Sequence, residues 1–299
     1  VSSDFKAGAS LGIVFSGGSL IASASYRRYN QDQNVTFVSN KGANTTLFHA
    51  TGLGRDYWRF RSTGIFAATR YSGQGFSAAA VGSALYGRLV WGVSYEWLSV
   101  TRYLSNQNDA PLTNLVTGAL SAFAAWKPSE LAALEARLSR ERRDGAENVI
   151  DCAASGVYLN LLSMDMYSRD RLSASLSGVL KFARDYGVWQ LMPETSFTSL
   201  SETYVYPSSS MRSCALDGTL AAAFSTERGK WMYRAAASAG YCAFPVSRCS
   251  LQCMDSLILQ AYADKYIFQS SGFAHGALQL TVQRELDARL AVFSTLSAS

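Results

Sequence analysis

The sequence predicts an all-β fold, an antiparallel transmembrane β-barrel. Three observations predict it: apolar and polar residues alternate with a period of two along most of the chain, short turns alternate with longer connections, and tryptophans gather beside the short turns. Composition agrees. Charged residues are 16% of the 299 residues, against about 25% in an average soluble domain. Hydrophobic residues reach 48% and mean hydropathy is +0.02. No apolar run approaches the ~18 residues of a membrane-crossing helix; streaks such as AFAAW at 122–126 are short. The whole chain, 1–299, reads as one barrel domain.

The alternation can be followed in order. Phe5, Ala7, Ala9, Leu11, Ile13 and Phe15 share one face and Lys6, Gly8, Ser10, Gly12 and Ser16 the other, before the turn SGGS at 16–19. Leu20, Ala22, Ala24 and Tyr26 then oppose Ser23, Ser25 and Arg27. Leu89, Trp91, Val93, Tyr95 and Trp97 oppose Gly92, Ser94 and Glu96. Near the end Leu278, Leu280 and Val282 oppose Gln279, Thr281 and Gln283, and Leu286, Ala288, Leu290 and Val292 oppose Asp287 and Arg289.

Short turns are read at SGGS, GLGRD (52–56), YGRL (86–89), KPSE (127–130), RDYG (184–187), ERGK (227–230) and RELD (284–287). Longer connections fall at 39–43, 72–74, 105–111, 145–169, 205–210 and 245–270. This layout gives about fourteen strands: 4–16, 20–38, 44–52, 57–71, 75–86, 89–104, 112–126, 130–144, 170–184, 188–204, 211–226, 230–244, 271–284 and 286–299. Short turns on one rim correspond to the periplasmic side and longer loops to the extracellular side. Hydrocarbon cannot solvate a free sheet edge, so the last strand is expected to pair with the first.

One stretch tests the period. ELAALEARLSRERRD at 130–144 is rich in helix formers. It also sets Leu134, Ala136 and Leu138 against Glu135, Arg137, Glu141 and Arg143. Its place after KPSE makes it a strand, with the leucines facing lipid and the charges facing the lumen. Trp58, Trp91, Trp126, Trp189 and Trp231 each stand within two residues of a short turn, and Trp97 does not. Such placement forms an interfacial aromatic girdle. A soluble β-sandwich is the competing reading, but its strands are usually about 5 or 6 residues long.

The inward register gives a lumen lining of mixed charge: Lys6, Arg27, Arg59, Arg61, Glu96, Glu135, Arg137, Lys181, Glu194, Asp217, Arg234, His275, Asp287 and Arg289. These residues either neutralise one another in a hydrated interior or select solutes by charge. Five cysteines, at 152, 214, 242, 249 and 253, fall in or near the longer connections. Cys242, Cys249 and Cys253 surround one loop, YCAFPVSRCSLQC, and read as candidates for a loop disulfide rather than a zinc site, which needs four ligands. The 149–170 segment is largely apolar and suits strand extensions above the membrane.

No catalytic motif, cofactor signature or metal site is read. His275 and His49 have no nucleophile motif around them, and GIVFSGG at 12–18 is explained by its hairpin. A net charge of +5 comes from scattered arginines, which argues against nucleic-acid binding. The chain opens on Val1 without a leader, so a removed leader or a preceding segment is expected.

YWRFRSTGIFAATRYS, RLVWGVSYEWLSV and YPSSSMRS resemble outer-membrane β-barrels of the Bacteroidota, from a family of uncharacterised function. The resemblance implies a cell outer-membrane location, contact with the lipid bilayer and lipopolysaccharide, no enzyme activity, and work beside a surface lipoprotein or nutrient-uptake partner. The leading functional expectation is passive or partner-assisted transport of small solutes. The alternatives are a non-transporting scaffold that binds a lipoprotein or ligand through its loops and, least favoured, a barrel hydrolase using His275.

Overall fold

The period-two pattern is realised as long antiparallel strands. The computed structural model describes residues 2–34, 50–52, 55–56, 68–104, 110–152, 158–206, 208–252, 256–287 and 290–298. In chain order the strands are β1 (Ser2–Phe15), β2 (Gly18–Asn34), β3 (Ala50–Gly52), β4 (Arg55–Asp56), β5 (Ala68–Ala84), β6 (Leu89–Leu104), β7 (Ala110–Ser129) and β8 (Ala132–Cys152). They continue with β9 (Tyr158–Arg184), β10 (Gly187–Tyr204), β11 (Ser209–Arg228), β12 (Trp231–Ser250), helix α1 (Ser256–Phe268), β13 (Phe273–Asp287) and β14 (Leu290–Ala298).

Twelve of these strands form one meandering sheet in the order β1-β2-β5-β6-β7-β8-β9-β10-β11-β12-β13-β14, and β3 and β4 form a separate small hairpin. Among the described residues the sheet has twelve strands, so the expected fourteen are not confirmed. The difference lies between residues 35 and 75: β2 pairs directly with β5, and residues 72–74, read as a loop, are mid-strand, with Ser72 opposite Asn30 and Gly73 opposite Tyr29. Ser-Gly-Gln-Gly looks like a turn, but its glycines serve close packing. A Cβ at Gly75 would stand 2.5 Å from the Trp97 carbonyl oxygen of β6. The predicted strands 44–52 and 57–71 lie largely outside the described residues.

β1 and β14 are the two ends of the sheet order, and among the described residues no pairing joins them as expected. The other strands follow the expected layout, with the rims corrected at three places. β8 and β9 run on to Cys152 and from Tyr158, so 145–169 is mostly the strand extension foreseen for 149–170. RELD at 284–287 is strand, Arg284 pairing with Val292. The 245–270 loop contains the rest of β12 and α1, whose SLILQAYADKYIF is rich in helix-forming Leu, Gln, Ala and Lys.

ELAALEARLSRERRD is strand from Ala132 onward, paired on both sides, with Leu138 opposite Ala122 and Ala174. Lateral pairing satisfies its backbone, and this overrides its helix propensity. The short turns are tight. Gly17 takes φ +93 and Gly229 φ +61, as their turns require. At the β5–β6 turn Leu85 and Tyr86 themselves adopt φ +53 and +56, and the Tyr86 N–H donates to the Gly17 carbonyl of the neighbouring turn at 2.9 Å.

No thick core separates two layers. Buried apolar side chains are few among the described residues, and Met166, Leu200, Tyr204 and Met211 gather into one cluster at the long-loop end.

Candidate functional site

The register sorts the side chains onto two faces. On the first, β1 presents Phe5, Leu11, Ile13 and Phe15; β7 presents Leu120 and Trp126; β8 presents Leu134 and Leu138; β9 presents Leu172, Leu176, Leu180 and Phe182. These side chains are exposed, Leu11 at 73% and Leu176 at 52%. A water-facing surface would not sustain so continuous an apolar area. The face has a sharp limit on the long-loop side, where successive strands switch to Arg28, Gln74, Asn114, Arg140, Asp170 and Arg212. Arg140 grips Asp170 there through two hydrogen bonds, the shorter 2.6 Å. That guanidinium holds the Asp170 carboxyl below the usual carboxylate range. From Phe182 to Asp170 β9 runs about 40 Å, or about 28 Å along a membrane normal for a tilt of about 45°. Known barrels carry an apolar band about 25 Å tall.

Aromatic rings rim this belt. Trp91, Trp126, Trp189 and Trp231 lie at its short-turn edge, half-exposed; Trp58 lies outside the described residues. Trp189 packs on Phe224 at 4.7 Å, and the Arg284 guanidinium stands 5.1 Å from the Trp231 ring centre. Trp97, the exception in the sequence, belongs to the opposite rim, where it stacks on Phe76 at 5.6 Å.

The second face is polar. It carries Lys6, Arg27, Glu96, Glu135, Arg137, Lys181, Glu194, Asp217, Arg234 and His275 of the predicted lining, all on this one face by register. Arg59, Arg61 and Arg289, and the side chain of Asp287, lie outside what is described. Opposite charges meet locally: Arg27 with Asp4 at 2.6 Å, Arg137 with Glu135, Arg143 with Glu141 at 2.9 Å, and His275 Nε2 with Asp217 Oδ2 at 2.9 Å. Serine pairs link adjacent strands, Ser25 to Ser77 at 2.8 Å and Ser94 to Ser121 at 2.7 Å. Between β5 and β8 the face has a recess of about 560 Å³ over Ser94, Ser121, Phe123 and Arg137.

Beyond the belt the polar face gains structure that the sequence did not reveal. Tyr266 of α1 packs on the Met166–Leu200–Tyr204–Met211 cluster, and Lys265 Nζ lies 3.7 Å from Glu202 Oε2. Glu202 is buried, and Tyr167 donates its hydroxyl to Oε1 at 2.6 Å. Burial first, and that hydrogen bond second, push the Tyr167 phenol above its ordinary pKa. Tyr204 donates to Glu147 in the same layer. The signal for this layer was the odd-numbered run Tyr167, Arg169 and Arg171, obscured because residues 145–169 read as a loop.

The predicted cysteine grouping is not formed. Cys214, Cys242 and Cys249 are free thiols, while Cys253 and the side chain of Cys152 lie outside what is described. Cys242 and Cys249 lie on one extended strand. Seven residues at about 3.3 Å each separate them by about 23 Å, far beyond the roughly 4.4–6.8 Å between the α-carbons of a disulfide. His49 also lies outside the described residues.

Fold and faces define an all-β protein built on one long-stranded antiparallel sheet, apolar and aromatic-rimmed on one side and charged on the other. The chain belongs to a family of unknown function, DUF6850, whose model matches residues 1–299. No curated protein matches it. Among solved structures it is similar to the ferric-catecholate import receptor Fiu of E. coli K12 in its open form, at 8% identity and TM-score 0.48, covering 98% of this chain and 54% of that one. It is also similar to the siderophore receptor PiuA of Acinetobacter baumannii, at 8% identity and TM-score 0.43, covering 98% and 49%. The β domain of the Bordetella autotransporter BrkA is similar at 12% identity and TM-score 0.36, covering 92% and 88%. The chain spans about half the length of the two receptor chains.

Proposed function

We propose that the sheet is a wall of an outer-membrane β-barrel that gives small solutes a path across the membrane. The apolar belt, bounded by aromatic rings on one side and by Arg140–Asp170 on the other, carries this reading. Hydrocarbon leaves backbone N–H and C=O groups unsolvated, so the free edges of β1 and β14 acquire β-partners in the bilayer and the wall closes. The polar face then lines the lumen, and its neutralised pairs favour a hydrated interior. Its chemistry is recognition and passage, without catalysis. The outer-membrane location, the Bacteroidota-like style of the strands, and lipopolysaccharide and an uptake-system lipoprotein as neighbours belong to the same proposal.

Planar-bilayer conductance tests the reading. The purified, folded protein is expected to give discrete current steps; no current, even after the 251–272 connection is shortened, contradicts an open path.

A second reading, a surface scaffold, draws on the β8–β9 hairpin, which runs beyond Arg140 to Cys152 and Tyr158. It predicts that a stoichiometric lipoprotein co-purifies and is lost when the hairpin tip is trimmed while conductance is unchanged. The hydrolase reading gains the Asp217–His275 pair, but the Thr219 hydroxyl donates to the same carboxylate. Unchanged lipid or peptide turnover in H275A discards it.

A further inference from the structure

The polar face just beyond the belt holds more arginines than its carboxylates pair: Arg143 pairs with Glu141, whereas Arg169 and Arg171 form no ion pair among the described residues. In the antiparallel pair β8–β9, Arg143 lies directly opposite Arg169, and Glu141 opposite Arg171. Like charges in facing positions destabilise a sheet unless something lies between them. Arg143 has one carboxylate, Glu141, reached from its terminal nitrogen at 3.2 Å. Its Nε lies 2.9 Å from the same carboxylate, but the N–H is not aimed at it, and this buried nitrogen has no hydrogen-bond acceptor among the described residues. The Nε of Arg169 is likewise buried without an acceptor. Arg169 faces Glu202 across β9–β10, yet Glu202 receives the Tyr167 hydroxyl and approaches Lys265 instead. Among the described residues neither Arg169 nor Arg171 forms an ion pair.

We propose that Arg143 and Arg169, with Arg171 beside them, bind an oxyanion group, a carboxylate or phosphate, of a small solute. Two guanidinium Nε–H donors, on facing residues of adjacent strands, are both withdrawn from water and both lack an acceptor among the described residues. Buried donors are normally satisfied, and a guanidinium fork matches the geometry of a carboxylate or phosphate. The site sits on the polar face at the level of Arg142 and Asp170 on the other face, above the belt, where a solute entering from the long-loop side arrives. Glu202, opposite Arg169 on β10, accepts the Tyr167 hydroxyl at Oε1, while its buried Oε2 lies 3.7 Å from Lys265 Nζ of α1 and has no hydrogen-bond partner among the described residues. Facing the polar side, the fork is out of reach of membrane lipid phosphates, so its ligand is a free solute. The inference rests on the solute-path reading and names its solute class as anionic.

Binding to the whole purified protein in detergent is measured by 31P line broadening of inorganic phosphate, with malonate as a competing dicarboxylate. Wild type is expected to broaden the phosphate signal, and malonate to reverse it. R143Q/R169Q is expected to weaken binding at least about tenfold, since each charged hydrogen bond lost is worth roughly that factor. R248Q removes the same charge from the opposite face at a similar height and should leave binding unchanged. Folding is checked by β-type circular dichroism; if the double variant misfolds, R169Q alone is read and should weaken binding in the same direction. No broadening in wild type, or equal loss in R248Q, overturns the site. Conductance without phosphate or malonate binding overturns this inference alone. Binding without conductance overturns the solute-path reading and leaves the site standing.

Discussion

Placing an arginine at Leu176 should damage this protein more than placing one at the adjacent Ser175. Leu176 lies on the belt face of β9, 52% exposed, midway between Phe182 at the aromatic rim and Asp170 at the polar limit. Six residues in either direction correspond to about 20 Å of strand, and to about 14 Å of depth at a tilt of about 45°. A charge there sits near the centre of the hydrocarbon. Arginine at the midplane of a barrel's lipid face costs about 2–4 kcal/mol, falling toward about 0–1 kcal/mol near the interfaces. The Ser175 side chain lies on the polar face directly opposite Arg137 across β8–β9, so an arginine there meets a facing like charge, which costs up to about 1 kcal/mol. L176R should therefore lose about 2–4 kcal/mol in reversible urea unfolding from lipid vesicles, and S175R less than about 1 kcal/mol. L172R, closer to the polar limit, should fall between them. If L176R and S175R unfold at the same midpoint, or S175R is the weaker, the assignment of faces is wrong.

Three other expectations follow from local geometry. Leu85 holds φ +53 in a turn and is exposed, so L85N should raise the unfolding free energy by about 1 kcal/mol by easing left-handed strain; a lowered unfolding free energy refutes the strain. The Arg140–Asp170 contribution should be present above the ordinary carboxylate range and vanish as pH falls through the depressed Asp170 value. The stability gap between wild type and R140Q should thus be constant from pH 7 to 5 and close below about pH 4; a gap that widens in acid contradicts the pair. Cys214, Cys242 and Cys249 are free, so denaturation without reductant followed by alkylation and mass spectrometry should find each carrying one label, whereas an unlabelled Cys242 would contradict the strand that separates it from Cys249.

Much of the sheet was legible because one of its faces is apolar and the other charged. Leu134 and Leu138 against Glu135 and Arg137 record that difference directly, and the alternation outweighs the helix propensity of the same residues. The interfacial tryptophans were legible for a similar reason, since indole prefers the boundary wherever the strand ends. Two kinds of feature were not. Glycines have two uses, and Gly73 was read as part of a connection, 72–74, when it allows close approach between strands. Beyond the belt both faces carry polar side chains, so alternation fades. Helix α1 and the Arg143–Arg169 pair both lie in that zone. Finding them required the cross-strand register, which one sequence does not contain.

The account stands on the apolar face lying in hydrocarbon. Spin labels placed singly from residue 172 to 182 of β9, on a cysteine-free background in lipid vesicles, test it most directly. The account predicts a period of two, with even positions accessible to oxygen and shielded from a water-soluble nickel chelate, odd positions the reverse, and oxygen access greatest near residue 176. Equal nickel access at even and odd positions would contradict it.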